Sequence, residues 1–210
     1  MAKKVKPSTD TTATIVVILD ESGSMGHLTD ATIEKYNGYV KEQAEVGPGS
    51  LTLVTFRDTI VKTVREGEPL ATTRPITRYE YKPSGGTPLY DAIGITLTKM
   101  LGQNHPEKVI IVIITDGEEN MSHQFSHPAV RQLIAAARSL DWQIVFLGAN
   151  VDAEKNIATY GTSRMSTSSW YPTLRGIGDT YSTLTLASTN YRTGQTAAVD
   201  MSELGVKTGV

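Results

Sequence analysis

Three short runs of the chain are continuously apolar: residues 13–19 (ATIVVIL), 108–115 (KVIIVIIT) and 143–148 (QIVFLG). Each is rich in isoleucine or valine and lacks a polar face, the pattern of a strand buried on both sides in a central parallel sheet. Between them, apolar positions recur at three- and four-residue steps. Ile33, Tyr36, Val40 and Ala44 put one stripe on a helix over about residues 29–46. Leu89, Ile93, Leu97 and Met100 predict a helix over about 88–101, and Val130, Leu133, Ile134 and Ala137 another over about 127–140. The stretch LTLVTFRDTIVKTVREG has two β-rich halves meeting at Arg57-Asp58, which predicts a hairpin and therefore one antiparallel strand. Residues 162–172 (TSRMSTSSWYP) read as a short edge strand followed by a loop. A last, weakly periodic helix over 176–192 carries Ile177, Tyr181, Leu184 and Tyr191.

This order of elements belongs to an α/β fold: a doubly wound, mostly parallel central sheet of about six strands, one of them antiparallel, with helices on both faces. No repeat or linker divides it. The reading is one domain over residues 13–193, with a flexible N-terminal tail at 1–12 and a C-terminal tail at 194–210 whose lack of patterning suggests mobility.

Composition narrows the function. At 210 residues with 39% hydrophobic and 20% charged positions, the chain can build a sizeable core. A net charge of −2 offers no concentrated basic surface for nucleic acid. The one basic cluster, Lys3, Lys4 and Lys6, reads as a solvated tail. With no cysteine, disulfides and thiolate metal sites are excluded. MAKKVKPSTDTT lacks the apolar region of a signal peptide, and no aliphatic run is long enough to span a bilayer, so the expectation is a cytoplasmic protein without membrane contact.

The candidate chemistry lies where the strands end. The first strand finishes in LDESGSMG, which sends out Asp20, Ser22 and Ser24 within five residues. The second central strand finishes in ITDGEEN, which sends out Asp116. Between them, SGGTPLYDA sets Thr87 after two glycines and before Pro88, a residue suited to a first helical turn. Taken singly, Thr87 is an ordinary helix cap and Asp116 an ordinary turn residue. Together they share the carboxyl edge of the sheet, where open α/β sheets bind ligands. All five side chains offer oxygen, which suits a hard divalent cation.

In these residues the chain resembles the von Willebrand factor A domain family over nearly its whole length. That family's metal-ion-dependent adhesion site (MIDAS) is DxSxS, then a distant Thr, then a distant Asp, matched here by Asp20, Ser22, Ser24, Thr87 and Asp116 in the right order. LDESGSM and GGTPLYDA, with GAN at 148–150 and the YR pair at 191–192, look most similar to stand-alone prokaryotic or phage-encoded members. The resemblance implies Mg²⁺, with Mn²⁺ or Ca²⁺ as substitutes, and no catalysis. Ser22, Ser24 and in some states Thr87 would bind the ion through neutral hydroxyls. Asp20 and Asp116 would often act through water. A protein partner's Asp or Glu would complete the shell. By sequence distance, Met25, His27, Pro88, Tyr90, Glu118 and Glu119 form the rim that selects the partner. Trp170 and Tyr171 read either as an aromatic anchor or as packing against the edge strand.

Other chemistries fit less well. Ser24 lacks the glycine two residues before it that a nucleophile elbow needs. His123 and His127 have a metal-pair spacing but no HExxH glutamate, and Pro128 follows. Ser22 stands where an aspartyl-phosphate phosphatase needs its second carboxylate. No GxxxxGK[ST] loop is present. A structural or assembly scaffold without an essential metal is the alternative that stays open.

Overall fold

A computed structural model describes residues 11–105, 108–149 and 167–202. Six strands form one sheet: β1 (Ala13–Asp20), β2 (Gly49–Arg57), β3 (Ile60–Pro69), β4 (Lys108–Thr115), β5 (Gln143–Ala149) and β6 (Thr167–Trp170). Their order is β3-β2-β1-β4-β5-β6. Only β3 runs antiparallel, paired to β2 through a hairpin whose turn places Asp58 at φ 51°.

Among the described residues the α-helices are α1 (Thr29–Val46), α2 (Leu89–Leu101), α3 (His127–Ser139) and α4 (Leu174–Arg192). Because strand side chains alternate, β1 feeds two cores at once. Ile15, Val17 and Leu19 pack with α1 and α4. Val16 and Ile18 face the other way, against α2 and α3. Strand β4 divides likewise, with Ile110, Val112 and Ile114 on the first side and Val109, Ile111 and Ile113 on the second. Burying each such side chain contributes roughly 1.5–3 kcal/mol, which is why these strands need no polar face.

Chain order after β1 runs first to β2 on one side and later to β4 on the other. The crevice at this change of direction opens at the carboxyl ends of β1 and β4. In the parallel register Leu19 lies opposite Ile114, so Asp20 and Thr115 end neighbouring strands side by side.

At the far end of the molecule, Arg192 holds α4 to α1. Its guanidinium is wholly buried and donates to the carbonyl oxygens of Thr11, Gln43, Gly47 and Pro48 and to Gln43 Oε1. The first residues beyond α4 also pack: Val199 and Met201 are buried in the α1/α4 core, although they stand in a stretch with no sequence periodicity. Lys3, Lys4, Lys6, Asn150 of the GAN stretch and residues 203–210 lie outside the described residues.

Candidate metal centre

Asp20 ends β1 with its side chain wholly buried. Its Oδ1 accepts the backbone N–H of Ser22 at 2.7 Å, which bends the chain out of the strand. Its Oδ2 accepts the hydroxyl of Thr115 at 2.6 Å. The chain then enters a 3₁₀ turn, Gly23–Leu28, which aims the two serine hydroxyls at each other, 3.1 Å apart. Ser24 also donates to Asp116 Oδ1 at 2.5 Å, so the first and second central strands meet through their loops.

Thr87 arrives on a loop held from three directions. Gly23 N donates to Gly85 O at 2.9 Å, and Gly86 N donates to Asp58 Oδ1 at 3.0 Å. The N–H of Thr87 itself donates to Asn120 Oδ1 at 2.8 Å. Gly85 sits at φ 67°, a left-handed conformation that suits glycine. Thr87 does not serve as the helix cap: the position before α2 is Pro88, with no side-chain cap bond. Its hydroxyl instead faces Gly117, where an added Cβ would lie 3.1 Å from Thr87 Oγ1 and 3.7 Å from Ser24 Oγ. Thus the five residues singled out by sequence come together.

Electrostatics mark the pair of acids. Burial pushes the Asp20 carboxyl up to about 6, against hydrogen bonds from Thr115 and Ser22 that lower it, while the nearby Asp116 raises it further. Asp116 is also raised, again chiefly by burial. His27 offsets part of the charge on Asp116, but nothing of the kind among the described residues acts on buried Asp20, and a cation among the hydroxyls would compensate both carboxylates. Among the described residues no cluster of three or more His, Cys, Asp or Glu could hold a metal.

The rim differs from the sequence expectation. Met25 is wholly buried, because in the 3₁₀ turn it falls on the same side as Leu28 and joins the core. Pro88 is buried. Glu119 is consumed by its own loop: Oε1 accepts from Met121 N and Ser122 N, and Oε2 from Ser122 Oγ and Tyr90 N. Tyr90 is half-buried, its ring 5.9 Å from that of His127. His27 and Glu118 are exposed. The two nitrogens of His27 lie 2.8 Å from Ser24 O and 3.0 Å from Pro172 O. The Pro172 carbonyl first, then that of Ser24, raises its pKa. Trp170 is buried, with Nε1 directed at Leu147 O, whereas Tyr171 is exposed.

Several supporting residues escaped the sequence reading. Thr115 fixes Asp20; Tyr81 donates to Asp20 O at 2.7 Å; buried Glu21 accepts Lys82 N at 2.6 Å. Asp91 accepts the N–H groups of His123, Gln124 and Phe125, fastening the loop that follows Asp116 onto α2. The one visible signal was Thr115 itself, the only hydroxyl in an otherwise aliphatic strand and adjacent to Asp116.

The family profile of the von Willebrand factor type A domain matches residues 14–171. The chain belongs to the von Willebrand factor type A (VWA) domain family. A comparison with curated protein sequences gave no match. Among solved structures, the VWA chain is similar to the PilB minor pilin from Streptococcus sanguinis: TM-score 0.62, 14% identity, covering 86% of this chain and 62% of the pilin. Proximal thread matrix protein 1 from the mussel byssus, in a structure with a zinc-occupied MIDAS motif, gives TM-score 0.57 at 15% identity, over 86% of this chain and 47% of that one. The manganese-loaded TRAP protein of Plasmodium vivax gives 0.53 at 15% identity, over 79% and 71%. The VWA chain thus spans less than two thirds of the pilin and about half of the mussel protein. At these identities the likeness is one of fold. No helix among the described residues is long and apolar enough to cross a membrane.

Proposed function

We propose that this VWA chain is a divalent-metal-dependent protein-binding domain. In this reading Ser22, Ser24 and Thr87 hold Mg²⁺, or Mn²⁺ or Ca²⁺ in its place, through neutral hydroxyls. Asp20 and Asp116 supply the negative charge, and a carboxylate from a partner's Asp or Glu completes the set of oxygens. The metal would supply a dication that three hydroxyls leave incompletely neutralised and that a further carboxylate can join.

The observation carrying the proposal is the convergence itself. Four oxygen-bearing residues from two loops, Asp20, Ser22, Ser24 and Asp116, are linked by hydrogen bonds at the crevice, and Thr87 joins them from a third loop, its hydroxyl on the Gly117 side where Ser24 Oγ also lies. The zinc-occupied and manganese-loaded relatives of the same fold support it by analogy. The geometry also favours binding over catalysis. Ser24 Oγ is engaged by Asp116 and Ser22, and both nitrogens of His27 are directed at carbonyl oxygens, so His27 does not pair with the serine as a general base.

Calorimetric titration of the metal-free protein with Mn²⁺ and Mg²⁺, beside Ser22→Ala/Asp116→Ala, tests the reading. Saturable binding that is lost in the double variant is the expected result. Equal heats from both proteins would move the metal away from these residues.

A further inference from the structure

Six large hydrophobic side chains are strongly exposed among the described residues, and two of them, Tyr171 (75% exposed) and Leu174 (68%), lie within two positions of Pro172. The His27 ring connects Pro172 O to Ser24 O, the carbonyl of a metal-site serine. One imidazole and two hydrogen bonds separate these carbonyls by at most about 8 Å. An extended peptide advances about 3.3–3.6 Å per residue, so about three residues span the distance between these two carbonyls.

The patch is also rigidly presented. Trp170, immediately before it, is buried and hydrogen-bonded to Leu147 O. Tyr171 O accepts Thr173 N at 2.7 Å, and Thr173 Oγ1 caps α4 by accepting Gly176 N at 3.0 Å. Gly176 approaches so closely that an added Cβ would lie 2.1 Å from Tyr171 O. With the backbone already held, docking on Tyr171 orders its side chain but not the chain that carries it.

We propose that Tyr171 and Leu174, which flank the Pro172 that His27 joins to Ser24, form the apolar half of a docking surface whose other half is the metal centre. The partner is a protein segment that carries an Asp or Glu within three residues of a large apolar side chain. This rests on the metal-dependent reading above. It adds what that reading leaves open: which acidic segments are accepted. The acid satisfies the dication and the apolar side chain covers the patch, so neither alone makes the full contact.

The test is selection of displayed random dodecapeptides on the full chain in Mg²⁺, with elution by EDTA. Tyr171→Ser/Leu174→Ser and Ser22→Ala/Asp116→Ala are run in parallel, with folding checked by circular dichroism. The expected result is that wild type yields acidic peptides enriched in Leu, Ile, Phe or Trp within three positions of the acid. The patch variant should still yield acidic peptides but without that enrichment, and the metal-site variant should yield none. Acidic peptides with no apolar neighbour from wild type, or unchanged enrichment from the patch variant, would overturn the proposal while leaving the metal reading intact. No EDTA-eluted peptides from wild type would overturn both. Sedimentation of the full chain adds a further outcome: a dimer lost on Tyr171→Ser/Leu174→Ser would assign the patch to a second copy and overturn the foreign partner.

Discussion

The Thr115 hydroxyl donates to Asp20 Oδ2 at 2.6 Å, joining the last residues of two adjacent parallel strands. It fixes the one site carboxylate that no solvent reaches, and so ties the electrostatics of the crevice to the sheet. The folded Asp20 carboxyl keeps its proton to about 6, above the ordinary 3.8 of an unfolded aspartate.

Between about pH 4 and 6 the folded state therefore binds more protons at Asp20 than the unfolded state, and stability falls as pH rises through that window. The shift corresponds to about 3 kcal/mol. In chelator, Asp20→Asn should lose this decline and become the more stable protein above pH 6. With saturating Mn²⁺ the order should reverse, because the variant has lost a charge the metal uses. Urea unfolding of both proteins at pH 4, 5, 6 and 7, with and without Mn²⁺, checks the sign in each condition.

Gly85 combines a φ of 67° with a Cβ position 1.6 Å from Asp58 Oδ1. Gly85→Ala should cost at least about 1–2 kcal/mol from the left-handed backbone alone, with the clash added. Asp58→Ala removes both the clash and the acceptor for Gly86 N, so the double variant should cost less than the sum of the single ones. Urea midpoints of the four proteins in the cycle measure the coupling.

Neighbouring glutamates should behave in opposite ways. Glu119 accepts four hydrogen bonds within its loop and from Tyr90 N, so Glu119→Ala should lose about 1–3 kcal/mol. Glu118 is exposed, and Glu118→Ala should stay within about 0.5 kcal/mol. Thermal unfolding without metal separates the two.

Arg192 satisfies the carbonyls at the end of α1 from within the core, so Arg192→Met leaves several buried acceptors unpaired and should cost about 3–5 kcal/mol. Arg192→Lys keeps the charge but not the planar fork and should recover only part of the loss. Chemical denaturation of the two variants ranks them.

The fold was legible because β1, β4 and β5 are apolar without interruption and α1, α2 and α3 carry clear stripes; their ends fall within a residue or two of the periodicity. The candidate residues Asp20, Ser22 and Ser24 were legible as a group because DxSxS follows a strand directly, and Thr87 and Asp116 only because the order of elements puts their loops at the same edge of the sheet. The rim was not. Sequence proximity put Met25 beside Ser24, but a 3₁₀ turn directs alternate neighbours inward, so proximity along the chain does not mean exposure. Pro88 and Glu119 were hidden for a similar reason: whether a loop residue faces solvent or its own backbone depends on partners such as Tyr90 N, which lies 29 positions away. Val199 and Met201 escaped because two isolated apolar residues carry no period, although the end of α4 delivers them to the core.

The most direct measurement is anomalous diffraction at the manganese edge from crystals of the full chain grown with Mn²⁺. The account predicts one peak in the crevice at the carboxyl ends of β1 and β4, among the oxygens of Ser22, Ser24, Thr87, Asp20 and Asp116, and its loss in Ser22→Ala/Asp116→Ala. A crevice without a peak at saturating Mn²⁺, or a peak that survives in the double variant, would contradict it.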